Sequence, residues 1–251
     1  MMSNFYISDM HFGHYNIMKH SKRNFKSTDE MDELFIKNWN NVVTDNDDVW
    51  ILGDFSYKSA NNPLYYLDRL NGKKHLIVGN HDRFMLKQPA CRKKFESIDD
   101  YKVIEDEGQK IVLFHYPIVE WDGYFRGALH FFGHIHNNVD NDAYMITEDI
   151  KGCYNVGTDI IGFIPRKKDE IIKLNEEYWE KQREVNIMKQ DIECDIKALR
   201  EKTGMNRADF AKHFNIPYRT VEDWEARKSN CAPYLFKLME KDLEREGFIK
   251  K

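Results

Sequence analysis

The sequence has few cysteines, and none of them forms a recognisable motif. The four are widely separated, at positions 91, 153, 194 and 231, and include no CxxC pair. This spacing argues against a disulfide scaffold and against a zinc knuckle. It is typical of isolated thiols in a reducing compartment.

Long apolar runs and a strong charge of one sign are also missing. The opening MMSNFYISDMHFGH has no run long enough for a signal peptide, and no segment approaches the length of a membrane span. The formal net charge of −4 argues against a chain devoted wholly to nucleic acid, although it leaves room for a local basic patch. We therefore expect a cytoplasmic protein that does not contact a membrane.

Short apolar runs typical of β-strands recur through the first two thirds of the chain. They predict strands at 5–8, 49–52, 75–78, 111–114, 129–132 and 153–156. Since these runs are apolar on both faces, the sheet should be covered on both sides. Helices are predicted at 27–43, capped by Ser27 or Thr28, and at 63–71. Together they predict a layered α/β domain over about 1–175, followed by a connecting helix at 176–190 and a helical domain at 191–251.

Polar residues that can bind metal follow five of the predicted strands. Loops beyond the carboxyl ends of strands converge in α/β sheets, so residues distant in sequence can meet there. A lone histidine at a strand end, or a Gly-Asn pair, is usually structural, but five such strand ends together favour a metal site. Imidazole and carboxylate suit Mn, Fe and Zn, and seven donors suit two ions that share a bridging carboxylate. The candidates are Asp9, His11, Asp54, Asn80, His115, His134 and His136.

The ordered set DxH, GD, GNHD, H and GHxH, spread over about residues 3–165, resembles the calcineurin-like metallophosphoesterase superfamily. The resemblance implies an α/β fold built as a two-sheet β-sandwich flanked by helices. It also implies two divalent metal ions, with Mn as the first choice and Fe, Zn or Ni as alternatives. A hydroxide bridging two ions about 3.5–4 Å apart would then hydrolyse a phosphate ester.

The resemblance also assigns a role to each matching residue. Asp9, His11 and His136 would hold one ion, and Asn80, His115 and His134 would hold the other. Asp54 would bridge both ions. His81 would face the phosphate as an acid or hydrogen-bond donor, oriented by Asp82.

Other positions near these motifs have weaker signals, and some have more than one interpretation. DMHFGHYNI resembles a subgroup of small bacterial and phage metallophosphoesterases, so His14 either touches substrate, supports the ligands or is a plain loop residue. Arg23 would either clamp a phosphate or lie in solvent. Tyr116 could frame a leaving group such as a nucleobase. NVGTDIIGFIP, at 155–165, is interpreted as a closing strand and turn with a structural role.

The C-terminal segment 196–246 resembles the helix-turn-helix of small repressor-type DNA-binding domains. Gly204 would end one helix, Asn206 and Asp209 are spaced like a capping box, and 218–227 would be the recognition helix. The candidate DNA contacts are Arg219, Thr220, Arg227 and Lys228. The predicted core consists of Phe210, Ala211, Phe214, Ile216, Val221 and Trp224.

The charge of this segment does not favour DNA. Residues 191–251 contain 13 Lys or Arg and 12 Asp or Glu, whereas DNA-binding modules usually present a basic face. A helical bundle for dimerisation or protein contact is therefore an equal alternative.

Two functions follow from the whole sequence. The first is a metal-dependent phosphoric ester hydrolase acting on a phosphodiester or nucleotide, with nucleic acid among the candidate substrates. The alternative is a non-catalytic DNA-binding regulator whose metal domain senses a phosphorylated ligand. The pattern makes no prediction of oligomeric state.

Overall fold

The computed structural model describes residues 2–147 and 149–249, with their side chains except those of 186–193. The chain divides into two compact units, Met1–Trp179 and Glu180–Lys251. The division falls inside one long helix, between the boundaries predicted at 175 and 191. No helix among the described residues is both long enough and apolar enough to cross a bilayer.

The first unit contains strands and mostly short helices. The strands are β1 Asn4–Ile7, β2 Asp48–Ile51, β3 Lys73–Ile77, β4 Phe95–Asp99, β5 Tyr101–Asp106, β6 Gln109–Phe114, β7 Leu129–Phe132 and β8 Cys153–Asn155. The helices are α1 Tyr15–His20, α2 Thr28–Val42, α3 Pro63–Leu67, α4 Asp82–Met85, α5 Pro89–Arg92, α6 Asp142–Thr147 and α7 Thr158–Ile161, with a 3₁₀ turn at Tyr124–Arg126. The long helix α8, Lys168–Glu193, spans the division between the units.

The strands form two sheets whose ends create one site. The first sheet has the order β1-β2-β3-β4 and is parallel throughout. The second has the order β5-β6-β7-β8, with only β5 antiparallel to its neighbour. The sheets meet just beyond β1 and β8, where the Ser8 amide donates to the Val156 carbonyl at 2.9 Å and the Thr158 amide to the Ser8 carbonyl at 3.0 Å. The carboxyl ends of β1, β2, β3, β6, β7 and β8 can therefore supply loops to one region.

The two sheets share one hydrophobic core. Tyr6 of β1 contacts Phe131 of β7 edge to face, with ring centroids 4.9 Å apart. Met31, Phe35 and Trp39 lie one helical turn apart along α2 and are buried against the same core. The predicted α/β architecture with two sheets and flanking helices is confirmed at this level.

The predicted helices and strands are present, but several begin or end at residues other than those predicted. All six predicted strands occur within two residues of their expected bounds, and Ser27 caps α2 by accepting from the Glu30 amide. The strands β4 and β5 were missed, because only one residue of each is buried and neither forms an apolar run. Helix α3 ends at Leu67 instead of residue 71, and α8 begins at Lys168, where Asp169 and Glu170 favour a helix start.

The interpretation of 155–165 as a strand and turn was wrong in part. Strand β8 ends at Asn155, and Thr158–Ile161 forms the short helix α7. This helix begins after Gly157, whose carbonyl accepts from the amides of Ile160 and Ile161. This helix places the Asp159 side chain inside the protein, next to the candidate metal centre described below.

The second unit is a small helical bundle. Its helices after α8 are α9 Ile196–Thr203, α10 Arg207–His213, α11 Tyr218–Glu225 and α12 Pro233–Arg245. Gly204 ends α9 in the left-handed conformation, and Asn206 caps α10 by accepting from the Asp209 amide. Asp209 does not complete a capping box, because its carboxylate accepts from the Asn206 side chain instead of its backbone.

The predicted core of this bundle is largely confirmed. Phe210, Ala211 and Val221 are buried, and the other three predicted residues pack against them half-buried. The turn between α10 and α11 is tight because Asn215 adopts φ +52° and the Ile216 amide donates to the Ala211 carbonyl at 2.8 Å.

Candidate metal centre

Two groups of donor atoms lie at the carboxyl ends of the strands. The first group joins Asp9 and His11, which follow β1, to His136, which follows β7. The second joins Asp54 after β2, His115 after β6 and His134 after β7. Within each group the ligand atoms lie within 4.8 Å of one another. The structure thus brings together six of the seven predicted ligands in two sets of three.

Asp54 lies between the two groups. Its Oδ2 atom is 3.6 Å from His11 Nε2 in the first group, and its Oδ1 atom is 3.7 Å from His115 Nε2 in the second. The seventh candidate, Asn80, places its Oδ1 atom 3.1 Å from His115 Nε2 and so joins the second group. A single carboxylate with one oxygen towards each group is the geometry needed to share two cations.

The tautomer of His115 suits a cation. Its Nδ1 atom lies 2.7 Å from the Leu52 carbonyl, and because a carbonyl only accepts, Nδ1 carries the proton. In the neutral ring Nε2 then presents its lone pair to the oxygens of Asp54 and Asn80. Electron-rich atoms that face one another without a donor between them fit a bound cation.

Several donor atoms of the first group are buried without a hydrogen-bond partner among the described residues. They are Asp9 Oδ1 and both ring nitrogens of His11. An unpaired buried polar atom costs about 1–3 kcal/mol, so these three atoms on two neighbouring side chains, with His11 Nε2 4.0 Å from Asp9 Oδ1, are unfavourable in the protein alone. Their chemistry, one carboxylate oxygen and imidazole nitrogens, matches a borderline divalent ion.

The backbone at these ligands is held in the left-handed region. Five of the candidate ligands have positive φ: Asp9 at 58°, His11 at 52°, Asp54 at 53°, His134 at 72° and His136 at 51°. For residues other than glycine this conformation is uncommon and costs of order 1–3 kcal/mol at each position. Such a concentration of strain around one point is typical of a site whose function requires those side-chain directions.

Two glycines leave room for the donor atoms. A Cβ on Gly53, which has φ +90°, would lie 2.5 Å from His115 Nδ1 and 2.7 Å from the Gly79 Cα. A Cβ on Gly133 would collide with Ser8 Oγ and Asp9 Oδ2. The glycines of the GD and GHxH motifs are therefore required by close approach of the ligand loops.

Burial and mutual charge shift the pKa values of these side chains strongly. Burial, followed by the charge of Asp9, raises the pKa of Asp54. Burial lowers the pKa of His134, and together with the neighbouring His136 it lowers the pKa of His11 well below the usual value. A cation at the centre would favour the ionised carboxylate and the neutral imidazoles, which are the forms that ligate metal.

Asp82 does not orient His81, contrary to the sequence interpretation. Its side chain is fully buried and accepts from the backbone amides of Gly79, Asp54 and Phe55 at 2.8–2.9 Å. This carboxylate therefore ties the loop after β2 to the loop after β3, and it acts on the ligand backbone instead of the histidine ring.

Arg23 does not face the site, so the phosphate-clamp interpretation was wrong. Its guanidinium is buried, binds both oxygens of Asp159 at 2.7 and 3.0 Å, and donates to the carbonyls of Asp9 and Met10 at 2.7 and 2.9 Å. Arg23 thus fixes the loop that carries Asp9, and it has no free edge for a substrate.

Asp159 is the residue that sequence reasoning missed. Its Oδ2 atom lies 2.8 Å from His136 Nδ1, which turns His136 Nε2 towards Asp9 Oδ1, 4.0 Å away. Burial lowers the pKa of His136, but Asp9 and Asp159 outweigh it and raise that pKa. A carboxylate behind a metal-ligating histidine is a common supporting arrangement. The only sequence signal was a carboxylate shortly after β8.

His81 borders the centre from the side open to solvent. Its side chain is 30% exposed, and its Nε2 atom lies 3.9 Å from Asp54 Oδ2. Its ring packs against Tyr57, with centroids 3.9 Å apart. Burial, followed by the charge of His115, lowers the pKa of His81, so the ring is neutral near pH 7.

The remaining candidates of the first unit lie next to the ligands. The His14 ring is 5.6 Å from His11, and burial with the charge of His81 lowers its pKa to about 4. The Tyr116 ring packs on His115 and His134, at 4.9 and 4.5 Å between centroids. Both rings therefore lie against ligand histidines, and contact of either residue with a substrate stays a prediction.

The candidate DNA contacts belong to the second unit. Arg219, Arg227 and Lys228 are exposed, and Thr220 is half-buried. Arg219 lies 4.0 Å from Asp223 on the same helix. DNA binding by these residues stays a prediction.

The chain is similar to an uncharacterized protein and to a protein of unknown function. No family model matches the chain. The uncharacterized protein MJ1445 of Methanocaldococcus jannaschii is 38% identical over 172 residues, which are 68% of this chain and 89% of that protein. The protein of unknown function AQ665 from Aquifex aeolicus has a solved structure that is 28% identical, with a TM-score of 0.56 over 69% of this chain and 100% of that one.

Yfce, a phosphoesterase from E. coli, is a more distant match. It is 17% identical, with a TM-score of 0.34 over 66% of this chain and 82% of that one, a similarity too low to bear on function. The identity to MJ1445 extends over nearly all of that relative. The chain therefore belongs to the same protein family as MJ1445 of Methanocaldococcus jannaschii.

Proposed function

We propose that this protein is a metal-dependent phosphoesterase of the calcineurin-like type, which hydrolyses a phosphodiester or nucleotide. One observation carries the proposal: two groups of metal-binding side chains meet at the strand ends, with Asp54 between them. The left-handed backbone at five ligands and the unpartnered buried donors support it.

The residues suit two divalent ions. Asp9, His11 and His136 would hold one, while Asn80, His115 and His134 would hold the other, with Asp54 shared. When bound, such ions neutralise phosphate charge and activate a water molecule near neutral pH. Oxygen and nitrogen donors without a thiolate favour Mn, with Fe, Zn or Ni as alternatives.

His81 would act on the substrate directly. It is exposed on the open side of the centre, and its neutral ring has an N–H that can donate to a phosphate oxygen. Donation at that point stabilises charge that develops on the phosphate or on the departing oxygen. Of the two roles that the resemblance implies, the hydrogen-bond donor suits the lowered pKa better than the acid.

The test is hydrolysis of bis(p-nitrophenyl) phosphate by the full chain, stripped of metal and reloaded with Mn²⁺, Fe²⁺, Zn²⁺ or Ni²⁺ in turn. We expect turnover with at least one ion and none with chelator. His81→Ala should lower kcat by about 10²-fold or more and leave metal content unchanged. Asp54→Asn should lose both activity and bound metal, as measured by elemental analysis. Asp122→Asn, a surface carboxylate paired with Lys110, is the matched control.

Two results would contradict the proposal. One is a protein that binds no ion in stoichiometric amount. The other is a metal-loaded protein that hydrolyses no ester in a panel of diesters, monoesters and nucleotides. Tight binding of a phosphorylated ligand without turnover would favour the sensor function instead.

A further inference from the structure

A largely apolar cavity opens beside His81. Its volume is about 370 Å³, within the range of small-molecule sites. Tyr57, Pro63, Phe84 and Met85 make most of its surface apolar, and Ser56, Lys58, Ser59, Asn61 and His81 also line it. A phosphate or a sugar would gain few hydrogen bonds from such a surface in exchange for the water that its oxygens lose. The lining suits an apolar, flat group.

The same loops that carry metal ligands form this cavity. Tyr57 and Lys58 follow Asp54 on the loop after β2, and Phe84 lies on α4, just after Asn80 and His81. A phosphate held at the metal centre would therefore have its ester group next to the cavity mouth.

Two aromatic side chains, those of Tyr57 and Phe84, line the cavity. The Phe84 side chain is 73% exposed, an unfavourable position for a phenyl ring unless something covers it. Tyr57 is fixed by its packing on His81. Stacking on such rings is how proteins bind nucleobases without regard to sequence.

The charge around the cavity also matches a nucleotide. The Lys58 ammonium lies 5.1 Å from the centre of the Tyr57 ring, so a cation stands at an aromatic wall near the proposed phosphate position. A second cavity, of about 480 Å³, is more polar, and its lining includes two candidate ligands, His134 and His136, with Asn137 and Lys22. Residues of the centre thus line or border one apolar and one polar cavity.

We propose that the apolar cavity binds the nucleobase of a nucleotide-type substrate while its phosphate occupies the metal centre. This inference rests on the proposed phosphoesterase function for the position of the phosphate. It adds a substrate class, an ester of a nucleoside, and it assigns base binding to Tyr57 and Phe84.

The experiment compares two ligands that differ only in the base. The Mn²⁺-loaded full chain is titrated calorimetrically with AMP and with ribose 5-phosphate. We expect AMP to bind at least about 5-fold more tightly, the lower end of what stacking on one aromatic ring contributes. Phe84→Ala should remove about 5-fold or more of the AMP affinity and leave that of ribose 5-phosphate within about twofold.

Two further variants separate stacking from general damage. Phe84→Trp keeps a flat ring and should retain AMP affinity. Phe125→Ala removes a phenylalanine that is 84% exposed elsewhere in the first unit and should change neither ligand. Chromatography of the titrated samples shows whether either ligand is consumed, in which case kcat/KM for the two ligands replaces the affinity.

The base-binding inference is overturned if AMP and ribose 5-phosphate bind equally, or if Phe84→Ala weakens both to the same degree. Hydrolysis of bis(p-nitrophenyl) phosphate is measured on the same preparations. If the protein hydrolyses this ester but binds AMP no better than ribose 5-phosphate, only the base-binding inference is wrong. If the metal-loaded protein has no activity at all, the proposed function is wrong.

Discussion

At the level of single residues, the candidate ligands depend on partners that do not reach the centre. Asp82 fixes the amides of two ligand loops, and Asp159 joins Arg23 to His136. These buried carboxylates set the direction of the donors, so their loss should act on metal affinity before it acts on the fold.

The first prediction concerns Asp159. Asp159→Asn keeps the size of the side chain but weakens its hydrogen bond to His136 Nδ1 and removes its charge beside Arg23. We expect metal affinity of the first group to fall about 10- to 100-fold. Competition with a chelator of known affinity measures the change.

Asp169→Asn is the control, since Asp169 lies exposed at the start of α8. It should leave metal affinity unchanged. Equal metal affinity in Asp159→Asn and the parent protein would mean that Asp159 serves only to neutralise Arg23.

Arg23 and Asp159 also show what residue patterns cannot reveal. They are 136 positions apart, yet their side chains form a two-bond ion pair. Nothing near Arg23 in the sequence distinguishes a buried guanidinium from a solvated one. The ligands themselves were easier to predict, because histidine, asparagine or carboxylate residues, often with a glycine, follow five of the predicted strands.

At the level of elements, α11 is held in the second unit by a buried carboxylate. Glu225 is 2% exposed and binds Arg200 of α9 at 2.6 Å and Arg207 of α10 at 2.9 Å. One of the acidic residues that argued against DNA binding therefore points into the bundle, and it joins three helices.

The second prediction follows from this contact. Glu225→Gln removes the buried carboxylate that Arg200 and Arg207 share, so we expect the bundle to lose about 3 kcal/mol of unfolding free energy. Hydrogen exchange of α9 to α12, followed by mass spectrometry in the full chain, measures it. Glu222→Gln, at an exposed ion pair with Arg207, should change stability by less than about 1 kcal/mol.

The ion pairs of Glu225 also make the stability of the bundle depend on pH. Burial raises the pKa of Glu225, but hydrogen bonds from Arg200 and Arg207 outweigh it and lower the pKa below the ordinary value of 4.5. A lowered carboxyl pKa stabilises the fold above the unfolded value, and this stability is lost as pH falls through the folded value. The difference between the parent and Glu225→Gln should therefore be full at pH 7 and shrink below about pH 4.5. A difference that is constant from pH 7 to pH 3 would contradict the assignment.

The third prediction concerns DNA binding by α11. If this helix contacts phosphates, mixed duplexes should be retarded by micromolar protein at low salt, and Arg219→Ala with Arg227→Ala should weaken retardation uniformly across sequences. Lys237→Ala, on α12, is the control. No retardation of any duplex would favour a bundle that serves dimerisation or protein contact.

At the level of the whole molecule, the chain has two cores that should respond differently to metal. The first unit contains the strained ligand loops and both ligand groups. Among the described residues, the second unit contains one further group of possible donors, His213, Asp242 and Glu246, which is partly exposed and does not lie at converging strand ends. A ligand that binds only the folded state stabilises the unit that holds it.

The fourth prediction is that chelation lowers the melting temperature of the first unit only. An ion at about 100 times its dissociation constant contributes about 2.7 kcal/mol, which corresponds to a shift of roughly 5–10 °C for a domain of this size. Hydrogen exchange during a temperature ramp separates the units. An equal shift of both units, or none, would contradict a metal centre confined to the first.

The sequence by itself determined the positions of six of the eight strands, the α/β class of the first unit and the helical nature of the second. It did so because apolar runs, glycines and caps act locally, over a few residues. The choice of ligands also followed from local motifs, such as DxH and GHxH.

Only the tertiary structure decided what those residues face. Contacts between distant segments turn Arg23 away from the substrate side and place Asp159 behind His136. Such contacts also bury Glu225 and form the apolar cavity beside His81. Burial and charge pairing arise when separate strands and helices meet in space, so no pattern along the chain could have shown them.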